Sequence, residues 1–290
     1  MVETDFLNAR EQSEPQRVPL VPLLRFPARM SLGEENDWYR EAGRSLRTTL
    51  EHAFTDRWRL RQAFFTQRTR VSFRGAELDV YGRTGDGMLS EDGRYLRRVA
   101  TDRRERRATE VSQTELYGLF DAAGIAHQIL LGLELGRYRI DSIGSQAPLA
   151  ALDLLEPAYG ARPGAYLPWV DQRYRNNTSV LYLQDRMWLS ARWQVLAGLR
   201  AEWLDARSGN GLTDETFRGR YSMLSPRLGI VHTPQPGSSW FASWTQSSLP
   251  QLGAVQADGR LMAPEKGRQF EIGWQWHGGR RANLAGAGGS

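Results

Sequence analysis

The chain has 290 residues, 38 basic and 33 acidic for a formal charge of +5, with no cysteine. Disulfides, thiol catalysis and zinc–thiolate sites are excluded, and no run of about 18 apolar residues is present to cross a membrane as a helix. A basic excess this small and dispersed, with no matching motif, argues against a nucleic-acid footprint.

The opening residues, MVETDFLNAREQSEPQRVPL, carry acids where a secretory leader needs a basic segment and an apolar core. The expectation is a chain without an export signal. Residues 1–42 form a Pro-rich lead-in with no period. From Gly43 alternating stretches begin: GRSLRTTLEHAF, then WRLRQAFFTQRTRVSF, and after a polar excursion RYLRRVATD and SQTELYGLF. The turn signal DAAG leads to IAHQILLGLELGRYRI. A long Pro/Gly/Ala loop is expected from Asp141 to Asp171, with LAALDLLEPAYG as a short helix inside it. NTSVLYLQDRMWL and RWQVLAGLRAEWLDA then pair across a tight turn, followed by a loop RSGNGLTDETFRG. RYSMLSPRLGIVHT, WFASWTQSS and RQFEIGWQW complete the series, although Pro226 is awkward in a ladder. Residues 277–290 are a Gly/Ala-rich tail.

About ten strands are expected, many of ten residues or more, against the usual five or six of soluble domains. Turns alternate between short and long. The pattern predicts an all-β, antiparallel transmembrane barrel segment over 43–276, too few strands to close a large barrel.

Trp193 and Trp203 bracket Val195, Ala197, Leu199 and Ala201 on one parity, with Arg200 and Glu202 on the other. Their separation is roughly 33 Å along an extended strand. Tilted at about 40–45°, that projects to roughly 23–25 Å, the height of an outer-membrane barrel's apolar band between its aromatic girdles. Trp193 and Trp203 are therefore expected as girdle positions. Arg186, Arg200, Glu202 and Arg227 fall on the parity that faces a wet lumen. Asp185 breaks the apolar side of its strand.

SVLYLQDRMWLSARWQVLAGLRAEWLD resembles the paired-strand signature of TonB-dependent siderophore receptors. LSPRLGIVHTPQPGSSWFASWTQSSLPQ and LMAPEKGRQFEIGWQW are similar to the segments that follow it in that family. The resemblance is specific over 179–276 and looser from Leu32. It implies a bacterial outer-membrane receptor that takes up ferric siderophores through a plugged barrel of on the order of 22 strands. It also implies contact with the TonB complex through a plug, and no plug or TonB box is recognised here. The expectation is thus a partial receptor that does not transport alone, embedded in outer-membrane lipid. Its substrate would be a ferric siderophore, with no resident cofactor or metal.

His52, His127, His232 and His277 have no partner at metal-ligand spacing, so they read as ordinary strand or terminal residues. No G-x-S-x-G elbow accompanies them, and no enzyme is expected. GRTGDG and GNG lack the acids of a calcium loop and are turn chemistry. Tyr159, Tyr166 and Trp169, in the expected long loop, are the candidate ligand contacts. Two other readings stand beside the receptor: a soluble all-β binding module whose aromatic faces pack into an internal core, and an outer-membrane barrel enzyme.

Overall fold

A computed structural model describes residues 2–11, 31–85, 87–251, 256 and 262–276. They form one ten-stranded antiparallel sheet in which each strand pairs with its chain neighbours, β1 through β10. The strands are β1 Val2–Glu11, β2 Trp38–Ala53, β3 Trp58–Leu78, β4 Tyr95–Ala122 and β5 Ile125–Asp153. They continue as β6 Leu167–Trp188, β7 Trp193–Asn210, β8 Glu215–Gln235, β9 Ser238–Leu249 and β10 Glu265–Trp276. No helix occurs among the described residues.

Connections at one end of the sheet are tight: 54–57, 123–124, 189–192 and 236–237. At 123–124, Ala123 and Gly124 both take positive φ (51° and 76°). That conformation matches the strand twist of a two-residue hairpin, and Ala123 adopts it against its steric preference. At the other end the connections 79–94, 154–166 and 250–264 are longer.

Several elements differ from their sequence expectation. β1 and the start of β2 lie in the stretch expected to be irregular, because a paired neighbour satisfies backbone that local pattern does not reveal. RYLRRVATD and SQTELYGLF are two ends of a single strand, β4, paired to β3 and β5 through the intervening arginines. The expected loop from Asp141 contracts to 154–166, since Asp141–Asp153 continues β5, and LAALDLLEPAYG contains strand and bends with no helix. RSGNGLTDETFRG likewise closes in a turn at 211–214. Strands run far beyond the apolar band, where both faces are polar and alternation disappears. The tail 277–290 lies outside the described residues.

Pro226 stands opposite Leu199 of β7. On its other side, β9 pairs with β8 only as far as Arg227–Thr245. The ladder with β9 thus stops where proline has no N–H to give, and the Gln246 side chain donates to the Leu224 carbonyl at 3.1 Å.

The hydrophobic core lies at the long-loop end and not between layers. Leu32, Leu96, Leu152 and Leu154 cluster there, with Leu78 and Leu89 packed against them. The one sheet leaves Leu131, Leu133, Leu135, Leu181, Leu183 and Leu199 exposed on a single face. That distribution is the reverse of a soluble module with an internal aromatic core.

Candidate functional site

Because partners in a ladder share a face, pairing from Trp193 carries its face across the neighbouring strands. His232, Ile230 and Leu228 of β8, Leu181 and Leu183 of β6, and Ile129, Leu131 and Leu133 of β5 join the apolar face. Arg186, Arg200, Glu202 and Arg227 lie on the opposite, polar face.

One cross-strand row on that polar face reads Glu51, Arg61, Glu115, Gly132, Tyr182, Arg200, Ser225. Glu115 is buried and accepts from Arg61 Nη1 at 2.9 Å, Tyr182 Oη at 2.7 Å and Tyr117 Oη at 3.0 Å. Tyr182 reaches Glu115 across β5 by lying over Gly132, where a Cβ would overlap the phenol ring. Gln113 Nε2 donates to the same phenol oxygen at 2.9 Å. Arg61 also faces Glu51 at 3.6 Å, and Arg200 bridges Glu202 at 3.2 Å and Glu134 at 3.6 Å. Arg227 covers Gly198 in the way Tyr182 covers Gly132. This wall carries two charged groups, one joining β2, β3, β4 and β6 through Glu115 and one joining β5 and β7 through Arg200.

Arg61, Gln113, Glu115 and Tyr182 were not singled out from sequence. Their parity was available within each strand, but the row joining β3, β4 and β6 depends on register.

The loop rim is organised around Arg98, whose guanidinium is fully buried. It donates to the Leu32 carbonyl at 2.9 Å and the Ala150 carbonyl at 3.0 Å, and pairs with Glu34 at 3.0 Å. Asp37 caps the same segment by accepting from the Glu34 and Ala76 amides, and burial pushes its carboxyl up. Asp79 closes the 79–94 connection. Burial opposes its ionisation, but the Arg83 and Thr84 amides and the Thr84 hydroxyl outweigh burial and hold its pKa below the ordinary range. At Asp153 a hydrogen bond from Arg94 lowers the pKa to about 2.

The three aromatic candidates do not converge. Tyr159 Oη donates to the Ser31 carbonyl at 3.2 Å, tying the 154–166 connection to segment 31–37. Trp169 belongs to β6, not to a loop, and packs against Tyr81 with ring centroids 5.8 Å apart. Tyr166 sits by Arg74 and Asp102, which form an ion pair. Tyr159 and Tyr166 remain exposed beside this framework.

On the apolar face, the turn-side edge is an aromatic belt. Trp58, Phe120 and His127 stack in sequence, Trp193 stacks on His232 at 4.1 Å, and Trp240 meets Trp274. Asp185, opposite Ala197, lies at hydrogen-bonding distance, 2.8 Å, from His127 Nδ1, which accounts for a carboxylate on this side. Trp203 is exposed at the far edge of the band. No group of three His, Asp or Glu side chains suited to a metal occurs among the described residues.

Residues 6–287 match the family described as TonB dependent receptor-like, beta-barrel. The metal-pseudopaline receptor CntO of Pseudomonas aeruginosa PAO1 is 30% identical over 241 residues, covering 79% of this chain and 32% of the relative. The ferrioxamine B receptor of Salmonella typhimurium LT2 is 24% identical over 225 residues, covering 77% of this chain and 30% of that receptor. Among solved structures, the ferric-catecholate import receptor Fiu of E. coli K12 superposes with a TM-score of 0.71 at 15% identity, covering 85% of this chain and 40% of Fiu. The siderophore receptor PiuA of Acinetobacter baumannii gives 0.69 at 19% identity, with 85% and 39% covered. The chain spans about a third of the length of these curated relatives.

Proposed function

The chain belongs to the TonB-dependent receptor β-barrel family, and from that membership we propose that it forms part of the wall of an outer-membrane receptor for ferric siderophores or related metal chelates. The observation that carries the reading is the pairing of one exposed apolar face, edged by stacked aromatics, with one networked polar face. A barrel in lipid needs the first outside and the second around its lumen.

On this reading Arg186, Arg200, Glu202 and Arg227 line the lumen, and Trp193 and Trp203 are girdle residues. The relatives are receptors and transporters, and this chain acts by binding and passage, without catalysis and without a resident cofactor. Tyr159, Tyr166 and Trp169 stand at the rim, where the planar groups of an iron chelate would first meet the protein. The lumen wall's anchored guanidiniums offer an anionic complex a fixed surface. The TonB complex and a plug are partners of the whole receptor, and we assign no residue here to energy coupling.

A ferric catecholate, an anionic complex, titrated into the full chain in dodecyl maltoside tests the reading. Saturable quenching of tryptophan fluorescence is expected, lost in Trp169→Phe and at least fivefold weaker in Tyr166→Ala. If ferrioxamine B and a ferric catecholate both fail to give saturable quenching up to millimolar concentration, the rim does not contact substrate.

A further inference from the structure

Among the described residues β1 and β10 each pair on one side only, so the sheet carries two free edges. The arc superposes on solved receptors of the family, whose barrels have on the order of 22 strands. Ten strands at that curvature sweep less than half a circumference, and β1 does not pair with β10 of its own chain.

The two edges fit one another in direction, length and height. Neighbours alternate in direction from β1 to β10, so β10 laid beside a β1 is again an antiparallel pair. β1 has 10 residues and β10 has 12. In a flat sheet their heights would differ. The cross-strand row of Trp193 contains His232, Trp240 and Trp274 of β10. Val2, where β1 starts, belongs instead to the row of Trp203, ten residues loopward.

Strand stagger removes that offset. The connection 54–57 meets β3 at Trp58, in the row of Ala197, four residues loopward of Trp193. The connection 236–237 meets β8 at Gln235, three residues turnward of His232. Over the six strand steps between them the tight ends therefore fall by about one residue per strand, as in a tilted barrel. Carried over the nine steps from β1 to β10, the fall is about ten residues. Val2 and Trp274 thus stand at one height.

We propose that two copies of this chain close one barrel, β10 of each copy pairing with β1 of the other about a two-fold axis along the lumen. Ten strands from each copy give twenty, an even number lying between porins and plugged transporters in size. A second copy satisfies both edges at once and leaves none, whereas a strand from another protein satisfies one. It also completes the lumen, whose wall a single copy leaves open. Phe270, Ile272 and Trp274, exposed at the free edge, then lie within a continuous apolar band. The proposal rests on the barrel-wall reading and on no particular chelate.

The test uses the full chain folded in dodecyl maltoside, with the protein mass read by light scattering. Twice the chain mass is expected; a monomer, or a spread of larger species, overturns the proposal. The chain has no cysteine, so introduced pairs report the junction. Thr4 stands opposite Leu46 and Ile272 opposite Ala242, both on the outward side. Thr4→Cys/Ile272→Cys, oxidised in air, should give a disulfide-linked dimer as its end product. Phe270→Cys or Trp274→Cys in place of Ile272→Cys covers a register step of two residues either way. Thr4→Cys/Leu183→Cys, whose second cysteine lies on β6 in mid-sheet, should give none. No crosslink from any of the three β10 positions, a disulfide within one copy, a ladder beyond the dimer, or an equal dimer from the β6 control would each overturn the proposal. The mass of the unsubstituted chain decides even if the variants fail to fold. Ferric catecholate titration of the same sample scores the receptor reading separately: a dimer without quenching keeps the closed barrel and removes the rim contact, and quenching by a monomer does the reverse.

Discussion

At Arg98 a single side chain holds three pieces of chain. Its donors satisfy carbonyls of segment 31–37 and of β5, and its charge offsets partly buried Glu34. Removing one partner of such a pair leaves the other uncompensated, typically at about 3–5 kcal/mol. Arg98→Met is therefore expected to release the rim, measured as faster proteolysis within 79–94 and 154–166. Adding Glu34→Gln should recover part of the loss, because the orphaned charge is gone.

Asp153 gives a pH signature at the same scale. The hydrogen bond from Arg94 lowers its pKa to about 2. A depressed carboxylate contributes stability that is present above its unfolded pKa, near 3.9, and is lost as pH falls through the folded value. Pepsin cleavage of the rim should thus show an Asp153-dependent rise between about pH 4 and pH 2, absent in Asp153→Asn. A rise unchanged in the variant would assign the effect to another group.

At the scale of the element, β7 shows how one strand serves two environments. Its odd positions bear Trp193, Leu199 and Trp203, while Arg200 is tied to Glu134 and Glu202 on the other face. A cation on the lipid side of a barrel costs about 2–4 kcal/mol at mid-depth and about 0–1 kcal/mol near the interface. Leu199→Arg should accordingly destabilise the folded chain in lipid vesicles by about 2–4 kcal/mol, and Trp203→Arg far less, read by urea unfolding. Equal effects at both positions would contradict the assignment of the band. The parity of β7 was legible in the sequence because it alternates through the band. β4 was not, since RRERRATEV has arginines on both faces and continues as strand only because β3 and β5 pair with it.

At the scale of the molecule, the sheet is open among the described residues: β1 and β10 are each paired on one side only. The residues of β10 are almost all exposed. Closure removes such edges in complete barrels, and an unpaired edge with apolar side chains templates association. The chain in detergent is expected to sediment as species larger than a monomer. Phe270→Ser/Ile272→Ser, which removes apolar side chains from that edge strand, should shift it toward the monomer. A monodisperse monomer for the unsubstituted chain would show that the edge is protected in some other way.

The class of the fold, the parity of the strands within the band, and the alternation of tight and long connections can all be read along the chain. Each of these is a local consequence of period-two alternation and turn chemistry. The same patterning places Arg200 and Glu202 opposite Trp193 and Trp203, and Arg186 and Arg227 opposite the leucines of their own strands, since parity is a property of one strand. Contacts between strands follow from the pairing of distant segments: the Glu115–Tyr182 bridge over Gly132 and the Arg98 anchor of the rim. The physical reason is register. Partners in a sheet are chosen by which residues stand opposite across strands far apart in sequence, and no pattern within a single strand encodes that alignment.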